Sequence, residues 1–210
     1  MRAFSAAAAL CLGLTSATEA QLGRQQGLLD PNVTHDSLLL RLPAITPAIV
    51  KSLTDARPIL SIVSLDSILA AHSLSPAQRA ALYPKLFLHV DVNRGSDKEL
   101  ALIPDLSAAR LAAIKAGRPW KTLDALRTAL GTDATRLEQY LFIPVELNTF
   151  TDDIMDTFVS IGVGTRRWKH EFAEYRPWKS MEQFDRDIGK YVRGNPKELQ
   201  RLKRHVIIAP

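Results

Sequence analysis

The stretch Arg118-Pro119-Trp120-Lys121-Thr122-Leu123-Asp124 returns 58 residues later as Arg176-Pro177-Trp178-Lys179-Ser180-Met181-Glu182. A fainter version precedes both, at Arg57-Pro58 followed by Ser64-Leu65-Asp66. A pattern that recurs in this way indicates a duplicated supersecondary unit, and the architecture is best predicted from that unit.

The spacing of other residues extends the repeat. In the first two copies an asparagine precedes a proline by 11 positions, Asn32 before Pro43 and Asn93 before Pro104. That proline precedes the arginine of its copy by 14 positions. Counted from Asn148, the third copy needs 28 positions from asparagine to arginine, where the earlier copies need 25. We therefore predict three units, the third with about one extra helical turn before its arginine.

Each unit is predicted to be mainly helical. In the second, Ser96 and Glu99 form a Ser-x-x-Glu capping box, Gly117 ends a later helix, and Thr122 caps the next one. Apolar residues recur at helical spacing, and only the short apolar runs between units could form strands. The expected fold is all-α, an array of tandem units with very short strands at most.

Five segments are predicted along the chain. We expect a signal peptide over 1–20, because Arg2 precedes a short apolar run and Thr18-Glu19-Ala20 could be a cleavage site. That run is too short to span a bilayer, and no later run is long enough. A lead follows over 21–31, and the three units occupy 32–90, 91–147 and 148–210. The expected location is secreted or periplasmic.

The composition narrows the function classes. The single cysteine, Cys11, lies in the expected signal peptide, so the mature chain has no thiol nucleophile and no cysteine metal site. The five histidines show no metal-ligand spacing, and no catalytic triad can be inferred. We expect no catalytic residue, no metal, no cofactor and no small-molecule substrate. The formal net charge of +5 is compatible with a polyanionic partner.

These features resemble the helix-hairpin-helix family, and most closely the exported ComEA-like DNA-uptake proteins. The family signature is an early asparagine, a capped helix, a Leu-Pro-Gly-Ile-Gly hairpin, a second helix and a basic or Arg-Pro end. In the second copy it corresponds to Asn93, Ile103-Pro104-Asp105-Leu106-Ser107 and Arg118-Pro119. The resemblance implies three tandem helix-hairpin-helix units, and it implies non-specific binding to the backbone of duplex DNA.

The hairpin sequences decide which unit could contact a phosphate. In the family, a Gly-hydrophobic-Gly turn lets backbone N–H groups approach a phosphate at a helix N-terminus. The glycine positions hold Ala44 and Thr46 in the first copy, and Asp105 and Ser107 in the second. An outward-facing aspartate would repel a phosphate. We expect both hairpins to be packing corners, with Thr46 and Ser107 as the only candidate hydroxyl donors.

The third hairpin keeps its glycines and is followed by basic residues. Its backbone N–H groups, one hydroxyl and three cations match what sequence-independent phosphate binding requires. From Thr165 to Pro210 there are 12 Lys or Arg and 6 Asp or Glu, a net charge of +6. The predicted DNA-binding residues are Gly162, Val163, Gly164, Thr165, Arg166, Arg167 and Lys169.

Alternatives stay open for the third hairpin. It could be a tight interhelical turn with a solvated basic face, and a register with Ser160-Ile161-Gly162 in the hairpin is also compatible. The chain would then be a non-catalytic scaffold that binds a protein of the cell envelope. We expect Trp120 and Trp178 to be core anchors rather than platforms for base stacking. The repeated arginines are expected to pair with a carbonyl or carboxylate at a helix end.

Overall fold

The computed structural model describes residues 27–151, 166–192 and 195–209. Within these ranges the chain is mostly helical with small parallel strand pairs, as the all-α prediction requires. The predicted signal peptide over 1–20 lies outside the described residues, and so does most of the predicted lead. None of the described helices is both long and apolar enough to cross a membrane.

The described secondary structure consists mainly of short helices. The helices are α1 (Asp36–Leu39), α2 (Pro47–Asp55), α3 (Ile62–Ala71), α4 (Pro76–Leu82), α5 (Asp97–Leu100), α6 (Ala108–Ala116), α7 (Leu123–Leu130), α8 (Ala134–Leu137), α9 (Arg166–Glu174), α10 (Met181–Gly189) and α11 (Pro196–Arg204). The strands are β1 (Val90–Asp91), β2 (Leu141–Phe142), β3 (Val145–Glu146) and β4 (Val206–Ile207), and 3-10 turns at Gly131–Asp133 and Glu138–Tyr140 flank α8.

Several helices begin and end where the sequence predicts. Ser96 and Glu99 form a reciprocal capping box at the start of α5. The Thr122 hydroxyl accepts a hydrogen bond from the Ala125 N–H and caps α7. Gly117 ends α6. Local capping chemistry therefore accounts for the element boundaries of this part of the chain.

Parallel strand pairing joins residues that are distant in sequence. β1 pairs with β2, and β3 pairs with β4, both in parallel. A parallel bridge likewise joins Leu29 to Leu86. In each case a residue that precedes a group of helices pairs with one that follows the group. The segments that precede and follow each group of helices are therefore hydrogen-bonded to each other.

Apart from Phe142, the buried apolar residues of the described chain form two cores. The first contains side chains from Leu28 to Ile143, drawn from both of the first two predicted units. The second contains side chains from Val145 to Val206. Pro144 lies between them in the sequence, so the third predicted unit has a core of its own.

The two repeated tryptophans are core residues, as predicted, and so is Trp168. Trp120 is 9% exposed and belongs to the first core, whereas Trp178 is 2% exposed and belongs to the second. Each indole Nε1 donates to the carbonyl six residues earlier, at 2.7 and 2.8 Å. Trp168, on α9, is 6% exposed and stacks on Phe172 with ring centroids 6.1 Å apart. None of these indoles is a free stacking platform.

Candidate nucleic-acid interface

An asparagine side chain forms the same pair of hydrogen bonds in three places. Asn93 Nδ2 donates to the Trp120 carbonyl at 2.8 Å, and Asn93 Oδ1 accepts from the Trp120 N–H at 2.7 Å. The backbone N–H and C=O of one residue are thereby both satisfied by a single side chain. The equivalent pairs are Asn32 with Ile59 and Asn148 with Trp178.

The repeated arginine binds two carbonyls that flank this asparagine. Arg118 Nε donates to the Val92 carbonyl at 2.6 Å, and Arg118 Nη2 donates to the Gly95 carbonyl at 2.7 Å. The prediction of carbonyl partners is therefore correct, but these carbonyls lie beside the asparagine and not at the end of the preceding helix, so the arginine joins distant parts of its copy. The equivalent contacts are those of Arg57 with Pro31 and Thr34, and of Arg176 with Leu147 and Phe150.

The first two hairpins adopt a backbone geometry that favours glycine, although neither has one. Ala44 has a φ of 61° and Asp105 a φ of 57°, both in the left-handed region. The hydroxyl oxygens of Thr46 and Ser107 each accept from the backbone N–H three residues later, at 3.3 Å. These two hydroxyls, which the sequence offered as phosphate donors, therefore cap α2 and α6.

The second hairpin presents a negative charge to solvent. The Asp105 side chain is 84% exposed and lies 3.8 Å from the Arg136 guanidinium. Arg136 also donates to the Pro104 carbonyl at 3.1 Å and pairs with Asp133 at 3.0 Å. An exposed carboxylate at this corner opposes the approach of a phosphate. The geometry agrees with a packing corner rather than a phosphate site.

The predicted site falls largely outside the described residues. Its first four residues do so, as does the alternative register over 160–162, and of the next two only the helical backbone is described. Lys169 is half-buried on α9. The residues outside are Gly162, Val163, Gly164 and Thr165, and those described by their backbone are Arg166 and Arg167.

The helix that follows the third hairpin matches its two counterparts. α2, α6 and α9 each have nine residues. In each case the repeated arginine follows the first helical residue by ten positions. Thr165 precedes its arginine by 11 positions, as the caps Thr46 and Ser107 precede theirs, and is their sequence counterpart. Hydroxyl residues therefore precede this helix in all three copies.

Part of the positive charge of the third predicted unit, over 148–210, is neutralised by ion pairs and hydrogen bonds within the fold. Cations there form ion pairs with neighbouring acids at 2.7 to 3.1 Å, and Arg176 binds carbonyls. Lys179 and Lys197 have exposed side chains. The net charge of this segment thus overstates the charge that it offers to a partner. The internal pairs are Lys190 with Asp187, Arg201 with Glu198, and Lys203 with Asp185.

The comparisons with known proteins give a single partial similarity. No family model matches the chain, and no solved structure matches it significantly. Over 50 residues the chain is 44% identical to a deoxyribonuclease of Thioalkalivibrio sp. (strain K90mix). The matched stretch makes up 24% of this chain and 14% of that relative. In the described ranges, no three histidine, cysteine or acidic side chains converge as a metal site. The chain is therefore similar to a short part of a deoxyribonuclease.

Proposed function

We propose that the chain is an exported helix-hairpin-helix protein that binds duplex DNA non-specifically through phosphate contacts. The observation that carries this proposal is the similarity to a part of a protein named a deoxyribonuclease. The contacts are assigned to the third hairpin and the first turn of α9. The residues are Gly162, Val163, Gly164, Thr165, Arg166, Arg167 and Lys169.

The recurring hydrogen bonds support the assignment of three units, over 32–90, 91–147 and 148–210. The asparagine pairs, the arginine forks and the nine-residue helices recur in the same order. The first two hairpins contain no glycine, whereas the stretch before α9 contains Gly162 and Gly164, each one position earlier than the counterparts of Ala44 and Thr46. Contact with DNA is therefore proposed for the third unit alone.

The proposed mechanism is binding alone, with no chemical reaction. Backbone N–H groups at a helix N-terminus, together with the helix dipole, favour an anion such as a phosphate oxygen. Arg166 and Arg167, at the start of α9, would add two positive charges beside it. Phosphate contacts carry no sequence information, so unrelated duplexes should bind alike.

We also propose that the chain binds DNA without cleaving it. The similarity covers 14% of the deoxyribonuclease, so that protein's activity has no necessary counterpart here. Supercoiled plasmid incubated with the purified protein and Mg²⁺ should stay supercoiled. Nicked or linear products that disappear with EDTA would instead show a nuclease.

The binding test is a fluorescence anisotropy titration with two unrelated 20-base-pair duplexes at two salt concentrations. With three phosphate contacts, the affinity should fall about 40-fold between 50 and 200 mM salt. Gly164→Asp, and Arg166→Ala combined with Arg167→Ala, should each weaken binding strongly. Lys51→Ala combined with Lys98→Ala removes the same charge from exposed helix positions of the other segments and is the matched control. Absence of binding at 50 mM salt would refute the proposal.

A protein scaffold is the second candidate, because the first hairpin exposes apolar side chains. Leu38 is 41% exposed and Leu40 is 44% exposed, both close to that hairpin. Such residues suit a protein contact better than a phosphate contact. Envelope extracts treated with nuclease would distinguish the two candidates. Capture of a defined protein, together with no binding to DNA at low salt, would favour the scaffold.

A further inference from the structure

The contact between the two apolar cores is incomplete. A cleft of about 420 Å³ opens between them, with Trp120 and Ile143 on one side and Phe150 and Ile207 on the other. Pro144, where the chain passes from one core to the other, also lines it. The two cores therefore do not merge along this side, and other contacts must hold them together.

Polar contacts at the end of α11 connect the second core to the first. Arg204 Nη2 donates a hydrogen bond to the His89 carbonyl. In return, Arg94 Nη2 donates to the Arg204 carbonyl at 2.8 Å. Arg204 is the last residue of α11, whereas His89 and Arg94 flank β1. One arginine is thus the centre of a junction between the cores.

His205, the next residue, is buried in the same junction. It is 5% exposed, and its ring lies against Phe142 with centroids 4.7 Å apart. Its Nδ1 lies 2.9 Å from the Arg201 carbonyl, which requires a proton on Nδ1. Its Nε2 lies 3.4 Å from Arg204 Nη1, a hydrogen-bond donor. The neutral ring fits this site, whereas a second proton would face the guanidinium.

His89 is buried on the other side of Arg204 and is 3% exposed. Among the described residues its Nε2 has no hydrogen-bond partner. A proton on that nitrogen would be buried without an acceptor, which costs free energy. Burial, with a further contribution from Arg204, lowers the pKa of His89 to about 4. Burial and Arg204 likewise hold the pKa of His205 well below its usual value.

Charged groups of both signs surround Arg204 and the two histidines. Three carboxylates, those of Asp30, Asp91 and Glu99, offset the charge of Arg204. Arg94 adds positive charge beside Arg204, and Arg201 adds it beside His205. Burial raises the pKa of Asp30, so protonation of this carboxyl favours the closed state and partly opposes the effect of the histidines. The protons that weaken the junction are those taken up by His89 and His205.

We propose that this junction is an acid-sensitive latch between the two cores. At neutral pH both histidines are uncharged, and Arg204 fastens α11 to the segment that precedes β1. Protonation of His89 and His205 places charge beside the guanidinium and breaks its bond to the His89 carbonyl. The second core then moves away about Pro144 while both cores stay folded.

The sign of the pH dependence follows from the histidines. In the closed state they resist protonation, whereas in the open state they regain an ordinary pKa near 6.5. The open state therefore binds more protons, and the closed state loses stability as the pH falls below about 6.5. Opening should have its midpoint between the pKa values of the two states.

The test combines small-angle X-ray scattering with circular dichroism on the full chain between pH 7.5 and 4.5. The radius of gyration should rise on acidification while the helical signal at 222 nm stays constant. His89→Leu combined with His205→Phe should remain compact to lower pH. His170→Gln removes an exposed histidine on α9 and should open at the wild-type pH.

A second variant keeps the proposal testable if the double histidine variant does not fold. Arg204→Ala should give an expanded, helical protein already at pH 7.5. It removes the hydrogen bond to the His89 carbonyl without any change of pH. An unchanged radius of gyration across the pH range would overturn the proposal. So would loss of helix in step with expansion, or opening of the double histidine variant at the wild-type pH.

Discussion

The side chain of Asn93 is hydrogen-bonded to both backbone polar groups of Trp120, 27 residues further along the chain. One asparagine thus fixes the position of a peptide that leads into α7. The same arrangement fixes Ile59 and Trp178 in the other two copies. The repeat in the sequence is therefore a repeat of tertiary contacts.

Removing this asparagine tests its contribution to stability. We expect Asn93→Ala to lower the free energy of unfolding by about 1–3 kcal/mol, because it leaves two partly buried groups of Trp120 unpaired. Lys98→Ala, at an exposed position of α5, should change it by less than about 0.5 kcal/mol. Urea unfolding followed by circular dichroism measures both. Equal effects would show that the asparagine has no special role.

Many of these features could be predicted, because they depend on regular spacings and capping patterns in the sequence. The matching spacings indicated the asparagine and arginine that recur in equivalent contacts, and the Ser-x-x-Glu pattern indicated the start of α5. The burial of the tryptophans was also expected, and the structure confirms it. A carbonyl was expected as partner of Arg57, Arg118 and Arg176, but its place beside the asparagine was not. Local periodicity and capping carry these predictions.

Other features could not be predicted, since they depend on how distant parts of the chain meet. The parallel strand pairs join residues more than 50 positions apart and have no local signal. The bond from Arg204 to His89 depends on the placement of one core against the other. The candidate site stays a prediction, because Gly162 to Thr165 lie outside the described residues. Caps at Thr46 and Ser107 could have been found, as each immediately precedes a helix.

The contact between Gly117 and Trp120 gives a second prediction. A Cβ at Gly117 would lie 2.0 Å from Trp120 Cζ2, so Gly117→Ala should lower the free energy of unfolding by about 1–3 kcal/mol. At Gly189, the end of α10, the nearest atom to a Cβ would be Leu199 Cδ2 at 3.8 Å. Gly189→Ala should be neutral or stabilising by up to about 1 kcal/mol. In thermal unfolding, Gly117→Ala should therefore lower the melting temperature, whereas Gly189→Ala should leave it unchanged or raise it.

The left-handed residue of the first hairpin gives a third prediction. Ala44 has a φ of 61°, which costs an alanine more than it costs a glycine. We expect Ala44→Gly to raise the free energy of unfolding by about 0.5–1 kcal/mol. Ala112→Gly, within α6, makes the same chemical change in a helix and should lower it by about 1 kcal/mol. Urea unfolding measures both free energies. If the two substitutions are equally destabilising, Ala44 does not have a left-handed backbone conformation.

The exposed carboxylate of the second hairpin gives a prediction about the DNA interface. Asp105 is 84% exposed at the hairpin, and Asp124 is 79% exposed at the start of α7, so both can be neutralised at little structural cost. If only the third hairpin contacts DNA, Asp105→Asn and Asp124→Asn should raise the affinity by the same small factor, since each changes the net charge by one unit. Anisotropy titrations at 50 mM salt compare them. A gain near tenfold for Asp105→Asn alone, about 1.4 kcal/mol, would mean that a phosphate also approaches the second hairpin.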